Sequence, residues 1–493
     1  MKKVVLLILA CLIVFSVSAF AEEGTVDTSF RVIFDGEEIS FPDEKPFTKE
    51  TIDMPDGTVY KENDNRIKFV PIRAIGEALG YTVSWNGEKK TVTLIKGERE
   101  VKFVLGGQCY VNGSTKTCVV NFPMKGDRAF VSQFGVCHAF SCTMSWDEEN
   151  RILHLYSKEK YPMEVDMTQE RYLTEDVRSE TIGEFYSMAE PDFVVPGMQQ
   201  AFVPQGIAYR KDTNQFYVSE YVVFGSSRLP VVDAESGEMV AQYRMRYASG
   251  NPHTGHMSGV AVSEKNLYLV NGAKAVQIIP LSSVDAADPN GVLQVDREIK
   301  LSTGAECKNS YAEVSDGYLW LGNYYRAKNK NHSKKANENY NVLIRGYKLD
   351  AAEADGLDAQ YKIDNPETNY LPAVLYSLEN EEMIQGMTSA GRYIITANSY
   401  TETLSEINVY DTSKPAQLDG YITIGETQIP VYKLKLEKNV KTIEHVEELS
   451  VVDGYLYVIY ESGSQNCGDA NRGPLTDQVW KVDLEKLVAP VSE

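Results

Sequence analysis

The chain has 493 residues, of which 43% are hydrophobic and 24% charged. That is globular composition on a scale that calls for more than one core, and it excludes a disordered or collagen-like polymer. Its 49 Lys+Arg stand against 70 Asp+Glu, a formal net charge of −21; a field of that sign repels phosphate backbones and anionic lipid, so no nucleic-acid partner is expected.

Residues 1–21 read as a secretory signal peptide. Lys2 and Lys3 form a charged start, Val4 to Val17 an apolar run too short for a comfortable membrane span, and Ala19-Phe20-Ala21 a small–x–small cleavage pattern before Glu22. No later segment is apolar enough to cross a bilayer. The expectation is a secreted protein, extracellular or associated with the cell envelope, with no transmembrane segment after the signal.

Beyond Cys11, in the apolar run, the cysteines are Cys109, Cys118, Cys137, Cys142, Cys307 and Cys467. Cys109 and Cys118 flank Val111-Asn112-Gly113-Ser114, a hairpin signal that would set them opposite each other, and they are the disulfide candidate. No Cys/His spacing suggests zinc.

Residues 70–94 (VPIRAIGEALGYTVSWNGEKKTVTL) align without a gap on residues 131–155 (VSQFGVCHAFSCTMSWDEENRILHL), with Val70 on Val131, Trp85 on Trp146 and Leu94 on Leu155. In the first copy Pro71 suits a first helical turn, Ile72, Ile75 and Leu79 make a helical apolar stripe, and Gly80 ends it. Alternating Val83 and Trp85, a polar turn, then Val92 and Leu94 predict a hairpin with one buried face. Each copy follows strand material ending in a turn, at Asp35-Gly36 and Asn112-Gly113. The predicted unit is strand, helix, hairpin, used twice.

This pattern resembles the copper amine oxidase-like N-terminal domain, or stalk domain, carried by exported bacterial proteins. The motif runs from Val70-Pro71-Ile72-Arg73 through Leu79-Gly80 to Val83, Trp85 and Thr91-Val92. The second copy has Ser132, Phe134 and Ser141 in place of the proline, arginine and glycine, and is degenerate. The resemblance covers roughly residues 28–157 and implies a structural appendage without copper or topaquinone. The residues agree: there are six His in the whole chain, and no Asn-Tyr-Asp/Glu core. Amine oxidase activity is not expected.

Residues 158–200 are charged and weakly patterned, and read as a linker. From 201 to 488 short strands repeat one plan. Aromatic-rich strands centre on Tyr217, Tyr268, Trp320, Ile394 and Tyr457, and four following strands run into Asp233, Asp350, Asp411 and Asp483. Similar units at irregular spacing fit a β-propeller with loop insertions better than a sandwich. The predicted fold class is therefore an α+β duplicated stalk-like domain plus an all-β propeller of five to seven blades, the last of which could take a closing strand from residues 160–200. Val203 to Tyr209, Gly255 to Val262, Arg345 to Leu349 and Tyr460-Glu461-Ser462 resemble an uncharacterised family of exported bacterial propellers, distantly similar to quinoprotein-like and YVTN-type propellers. That resemblance brings no established activity.

Propeller ligands sit at a tunnel mouth near the ends of the inner strands. The polar residues at those places are Gln205, His256, Asn309, Gln385, Glu448 and Glu461, with Glu447 nearby. Such a ring could coordinate a hard cation such as calcium, or could pin neighbouring blades by satisfying buried polar groups; the second role is the more general one. His256 with Glu448 is a candidate acid–base pair. Arg326 to Asn341 is the one basic, Asn-rich tract, either a grip for an anionic envelope polymer or a solvated insertion. Tyr221, Tyr324, Tyr325, Tyr340 and Tyr400 follow strand ends and could offer stacking faces. No nucleophile elbow, P-loop or HExxH motif occurs.

The reading that follows is a non-catalytic, envelope-associated protein whose stalk-like domain presents a propeller that binds a ligand, a cell-envelope polymer or a protein. The alternative is a metal-assisted, calcium-type propeller hydrolase or lactonase using Glu448 or Glu461 to activate water.

Overall fold

The computed structural model describes residues 29–48, 68–104, 108–119, 124–125, 127–147, 149–157, 167–171, 173, 180–200, 202–222, 225–304, 307–327, 335–380, 382–399, 404–414, 416–464 and 474–489. The signal segment and Tyr400 lie outside them.

The duplication is visible as two runs of the same elements. Strand Lys68–Pro71 leads into helix Ile72–Ala78 and strands Thr82–Asn86 and Thr91–Lys96. Strand Arg128–Ser132 leads into helix Gln133–Phe140 and strands Cys142–Asp147 and Ile152–Ser157. The two leading strands pair antiparallel with Val70 opposite Val131, so the residues that superpose in the sequence alignment meet at the centre of the junction. The strand preceding each copy joins the other copy's hairpin: Arg31–Phe34 pairs with Ile152–Ser157, while Gln108–Val111 lies in the sheet of Thr82–Asn86 and Thr91–Lys96. Two half-units exchanging strands bury one core, and neither half could bury its apolar face alone.

Local chemistry explains how the degenerate copy still folds. In the first copy Gly80 takes a left-handed φ of 79° just past the helix, and a Cβ on Gly76 would come within 2.4 Å of Leu94. In the second, Ser132 replaces the proline and caps the helix, its Oγ accepting the Gly135 N–H at 3.2 Å. Ser141 replaces the glycine and takes the left-handed conformation itself, φ 55°.

Two expectations are corrected. Trp85 does not share the burial of Trp146: it is 45% exposed against 6%, because Phe30, entering beside the strand added to the second copy, packs edge-on against Trp146 at 5.5 Å. The Asn112-Gly113 hairpin forms, but a register shift sets Cys109 opposite Lys116 rather than Cys118; the Cys118 side chain lies outside the described residues.

The rest of the described chain forms five sheets, antiparallel except where Val292–Gln294 joins Met239–Arg246 in the first and Thr427–Leu434 joins Val374–Leu378 in the third, both in parallel. The first comprises Val203–Arg210, Gln215–Tyr221, Arg228–Asp233 and Met239–Arg246; the second Gly259–Val262, Asn266–Val270, Ala275–Pro280 and Arg297–Lys300. The third comprises Tyr311–Ser315, Tyr318–Gly322, Ile344–Lys348 and Val374–Leu378; the fourth Ile384–Ala390, Tyr393–Asn398, Ser405–Asp411 and Leu436–Thr442. In the fifth, Val446–Val452, Tyr455–Tyr460 and Gln478–Asp483 are completed at the outer edge by Ala189–Val194. This outer strand, antiparallel to Gln478–Asp483, comes from the segment read as a linker, so that part of 158–200 belongs to a sheet.

Every aromatic-rich triplet picked out in the sequence lies on the second strand of one sheet. Asp residues at the ends of third strands have a local task. Asp233 accepts the Ser236 N–H at 2.8 Å, Asp411 the Ser413 N–H at 2.9 Å and Asp483 the Lys486 N–H at 3.1 Å, each turning the chain toward its next element. Irregular spacing comes from insertions: Gln417–Ile424 and Thr427–Leu434 leave the fourth sheet to extend the third.

The first strands of the five sheets adjoin in the order first, second, third, fourth, fifth and back to first. Glycines allow that approach. A Cβ on Gly206 would meet Val260 N at 2.7 Å, one on Gly259 would meet Ala312 N at 2.7 Å, and one on Gly386 would meet Glu447 O at 2.6 Å. Three of the five junctions between inner strands thus depend on a missing side chain.

Candidate functional site: the polar mouth of the inner strands

Three inner strands begin with a bulge. Their pairing shifts register between Pro204 and Gly206, between Ile384 and Gly386, and between Val446 and Leu449. The residues absorbed by these shifts are Gln205, Gln385, Glu447 and Glu448. A bulge adds a residue without a ladder partner and re-aims its side chain, which is how sequences that otherwise alternate sheet-facing residues turn amides and carboxyls out of the sheets. The chain enters three inner strands through left-handed residues, Met257 (φ 48°), Met383 (φ 62°) and His445 (φ 59°).

Gln205 from the first sheet donates its Nε2 to Glu461 Oε2 of the fifth at 3.0 Å. The other Glu461 oxygen, Oε1, lies 2.9 Å from His445 Nδ1. Gln385 from the fourth sheet donates its Nε2 to Glu447 Oε1 at 3.0 Å. His256, at the entry to the second sheet, stacks on Tyr221 of the first with ring centroids 4.1 Å apart. Side chains from four of the five sheets therefore converge.

Electrostatics tie these pairs into one site. Burial raises the pKa of Glu447 well above the usual carboxyl range, and the charges of Glu461 and Glu448 raise it further. His256 presents surface to solvent, yet desolvation by the surrounding chain lowers its pKa, with Glu461 opposing that shift.

Glu448 does a different job. Its Oε1 accepts the Met387 N–H at 3.0 Å and its Oε2 accepts the Ala312 N–H at 3.3 Å, so one fully buried carboxyl pins the third and fourth sheets to the fifth. Beside it Glu313, also buried, accepts the Ser450 hydroxyl at 3.3 Å. Burial raises both pKa values, and Glu313 raises that of Glu448 further.

Of the residues selected from sequence, Gln205, His256, Gln385 and Glu461 are brought together. Asn309 is buried and donates its Nδ2 to the Lys274 carbonyl at 2.9 Å, which makes it a loop clasp. The pairing of His256 with Glu448 is corrected: the carboxyl acting on His256 is Glu461. Sequence reasoning did not select His445, which becomes a neighbour of Glu461 only because the hairpin around Asp453-Gly454 contains the Val446/Leu449 bulge.

The other candidates divide. Tyr325 and Tyr340 are buried and Tyr324 is partly so, leaving Tyr221 as the aromatic stacked on His256. The centre of the basic tract, 328–334, lies outside the described residues. Its flank folds back, Asn337 Oδ1 accepting the Tyr340 N–H at 2.9 Å. Among the described residues no helix is long and apolar enough to cross a membrane.

Residues 46–155 match the family model described as Copper amine oxidase N-terminal domain, so the first unit is a domain of that type. No curated protein matches the chain. Solved structures similar to it include a glutaminyl cyclase from Myxococcus xanthus, at 12% identity and a TM-score of 0.29 over 55% of this chain and 89% of that one. The WD40 repeats of RRP9 match at 10% identity and a TM-score of 0.32, over 60% of this chain and 97% of that one.

Proposed function

We propose that the five sheets are the blades of a five-bladed propeller, and that the protein is an exported, non-catalytic binding protein. Its copper amine oxidase-type N-terminal domain carries the propeller at the cell envelope, and the polar mouth takes the ligand. The observation that carries this reading is the convergence of Gln205, His256, Gln385, Glu447 and Glu461 from four sheets. A set of blade clasps alone would end on backbone groups, as Glu448 and Asn309 do. Apart from the contact of Gln205 with the Pro204 carbonyl, the mouth residues end instead on one another, through side chains that leave acceptor atoms over.

The hydrolase alternative loses one of its two named carboxyls, because both oxygens of Glu448 are committed to backbone amides. The test is retention of the purified chain from Glu22 onward on washed cell-envelope material. Binding that falls at least tenfold in a Gln205→Leu, Gln385→Leu double variant of unchanged circular dichroism supports the reading. Equal retention of wild type and variant would sink it.

A further inference from the structure

The hydrogen-bond inventory of the mouth specifies the kind of ligand it takes. A glutamine side chain offers two N–H donors and one carbonyl acceptor; an ionised carboxylate only accepts. Gln205 directs its amide nitrogen to the Pro204 carbonyl at 2.9 Å and to Glu461 at 3.0 Å. Gln385 directs its own to Glu447. Both amides thus turn their nitrogens toward acceptors within the protein. Among the described residues no hydrogen bond reaches Gln205 Oε1 or Gln385 Oε1, and Gln205 is only 2% exposed. What the mouth presents is a set of unmatched acceptors.

Its charge has the same sense. The Glu461 carboxylate disfavours ionisation of the buried Glu447, in a chain that is already strongly acidic. A ligand that supplies positive charge and several N–H donors would satisfy the amide oxygens and relieve that repulsion in one step. The solvent-facing His256, stacked on Tyr221, gives a flat wall against which a short carbon chain can lie.

We propose that the mouth recognises a primary ammonium group, its three N–H donors shared among Gln205 Oε1, Gln385 Oε1 and the Glu447–Glu461 pair, with the attached carbon chain against His256 and Tyr221. This rests on the binding role argued above and names the ligand class for the same site.

The experiment titrates the full chain from Glu22 onward with n-propylammonium, tetramethylammonium and calcium chlorides at matched ionic strength, reading Tm and isothermal heat. The expected result is a saturable rise in Tm with n-propylammonium, because a ligand bound by the folded state alone must raise it. Affinity should weaken at least tenfold in Glu447→Gln and, independently, in Gln205→Leu, each checked for unchanged circular dichroism. Tetramethylammonium carries the charge without N–H donors, so an equal effect from it would overturn the proposal. A larger effect from calcium, abolished by the same substitutions, would overturn it in favour of a metal site. No effect from any of the three would overturn it as well. Ammonium binding without retention on envelope material would leave the site standing and remove only the proposed location.

Discussion

Glu448 Oε1 accepts the backbone N–H of Met387 at 3.0 Å across the junction of the fourth and fifth sheets, while its Oε2 reaches Ala312 on the third. One buried side chain, itself within the Val446/Leu449 bulge, thereby satisfies amides on two neighbouring inner strands.

Glu448→Ala leaves the Met387 and Ala312 amides buried and unmatched. Each such group costs about 1–3 kcal/mol, so the variant should lose roughly 2–6 kcal/mol in urea unfolding. Glu448→Gln keeps one accepting oxygen and should lose less than Glu448→Ala. Equal stability of Glu448→Ala and wild type would remove the clasp.

Gly259 tests the approach of the inner strands. A Cβ there would sit 2.7 Å from Ala312 N and 2.9 Å from the Tyr311 Cα, both backbone atoms that cannot swing aside. Gly259→Ala should destabilise by about 1–3 kcal/mol, the usual range for overpacking. Gly183, where a Cβ would meet nothing within 4 Å, is the control, and Gly183→Ala should be neutral or slightly stabilising. A neutral Gly259→Ala would show that the strands are farther apart than described.

The N-terminal duplication was legible because Val70, Trp85 and Leu94 keep their spacing at Val131, Trp146 and Leu155, and the aromatic second strands were legible because each fills the middle of a sheet. The bulges were not. Gln205, Gln385 and Glu447 leave their sheets through register shifts; Gly206 and Gly386 follow two of them and are the only local signal, and Glu447 has none beside it. His445 takes a left-handed backbone without being glycine, so local propensity argues against the geometry that sets it beside Glu461. A closing strand from residues 160–200 was anticipated and is Ala189–Val194, but its bounds were not legible, because its alternation is weak and its place is fixed by the open edge of Gln478–Asp483.

The two aligned tryptophans should behave unequally. Trp146 is 6% exposed, edge-on to Phe30, with the Lys68 ammonium 4.5 Å from its ring centroid. Trp146→Ala should cost about 3–5 kcal/mol, as large aromatic deletions from cores do. Trp85→Ala, at a position 45% exposed, should cost less than about 1 kcal/mol in the same unfolding assay. Equal losses would mean that the two copies bury their hairpins alike.

The buried pair Glu313 and Glu448 predicts the sign of a pH dependence. Both pKa values are raised, by burial first, so the folded state holds protons that the unfolded chain releases above about pH 4.3. The stability contributed by these groups is fully present below that value and is lost as pH rises through the higher folded values. Asp212, Asp233 and Asp411, with lowered values, act in the opposite sense at lower pH, so the informative quantity is the difference between wild type and a variant. Glu313→Gln removes one such proton. From pH 5 to 8 its unfolding free energy should fall less steeply than that of wild type, by up to about 1.4 kcal/mol per pH unit, the limit for one proton. Parallel profiles would show that Glu313 gives up its proton as readily in the fold as in the unfolded chain.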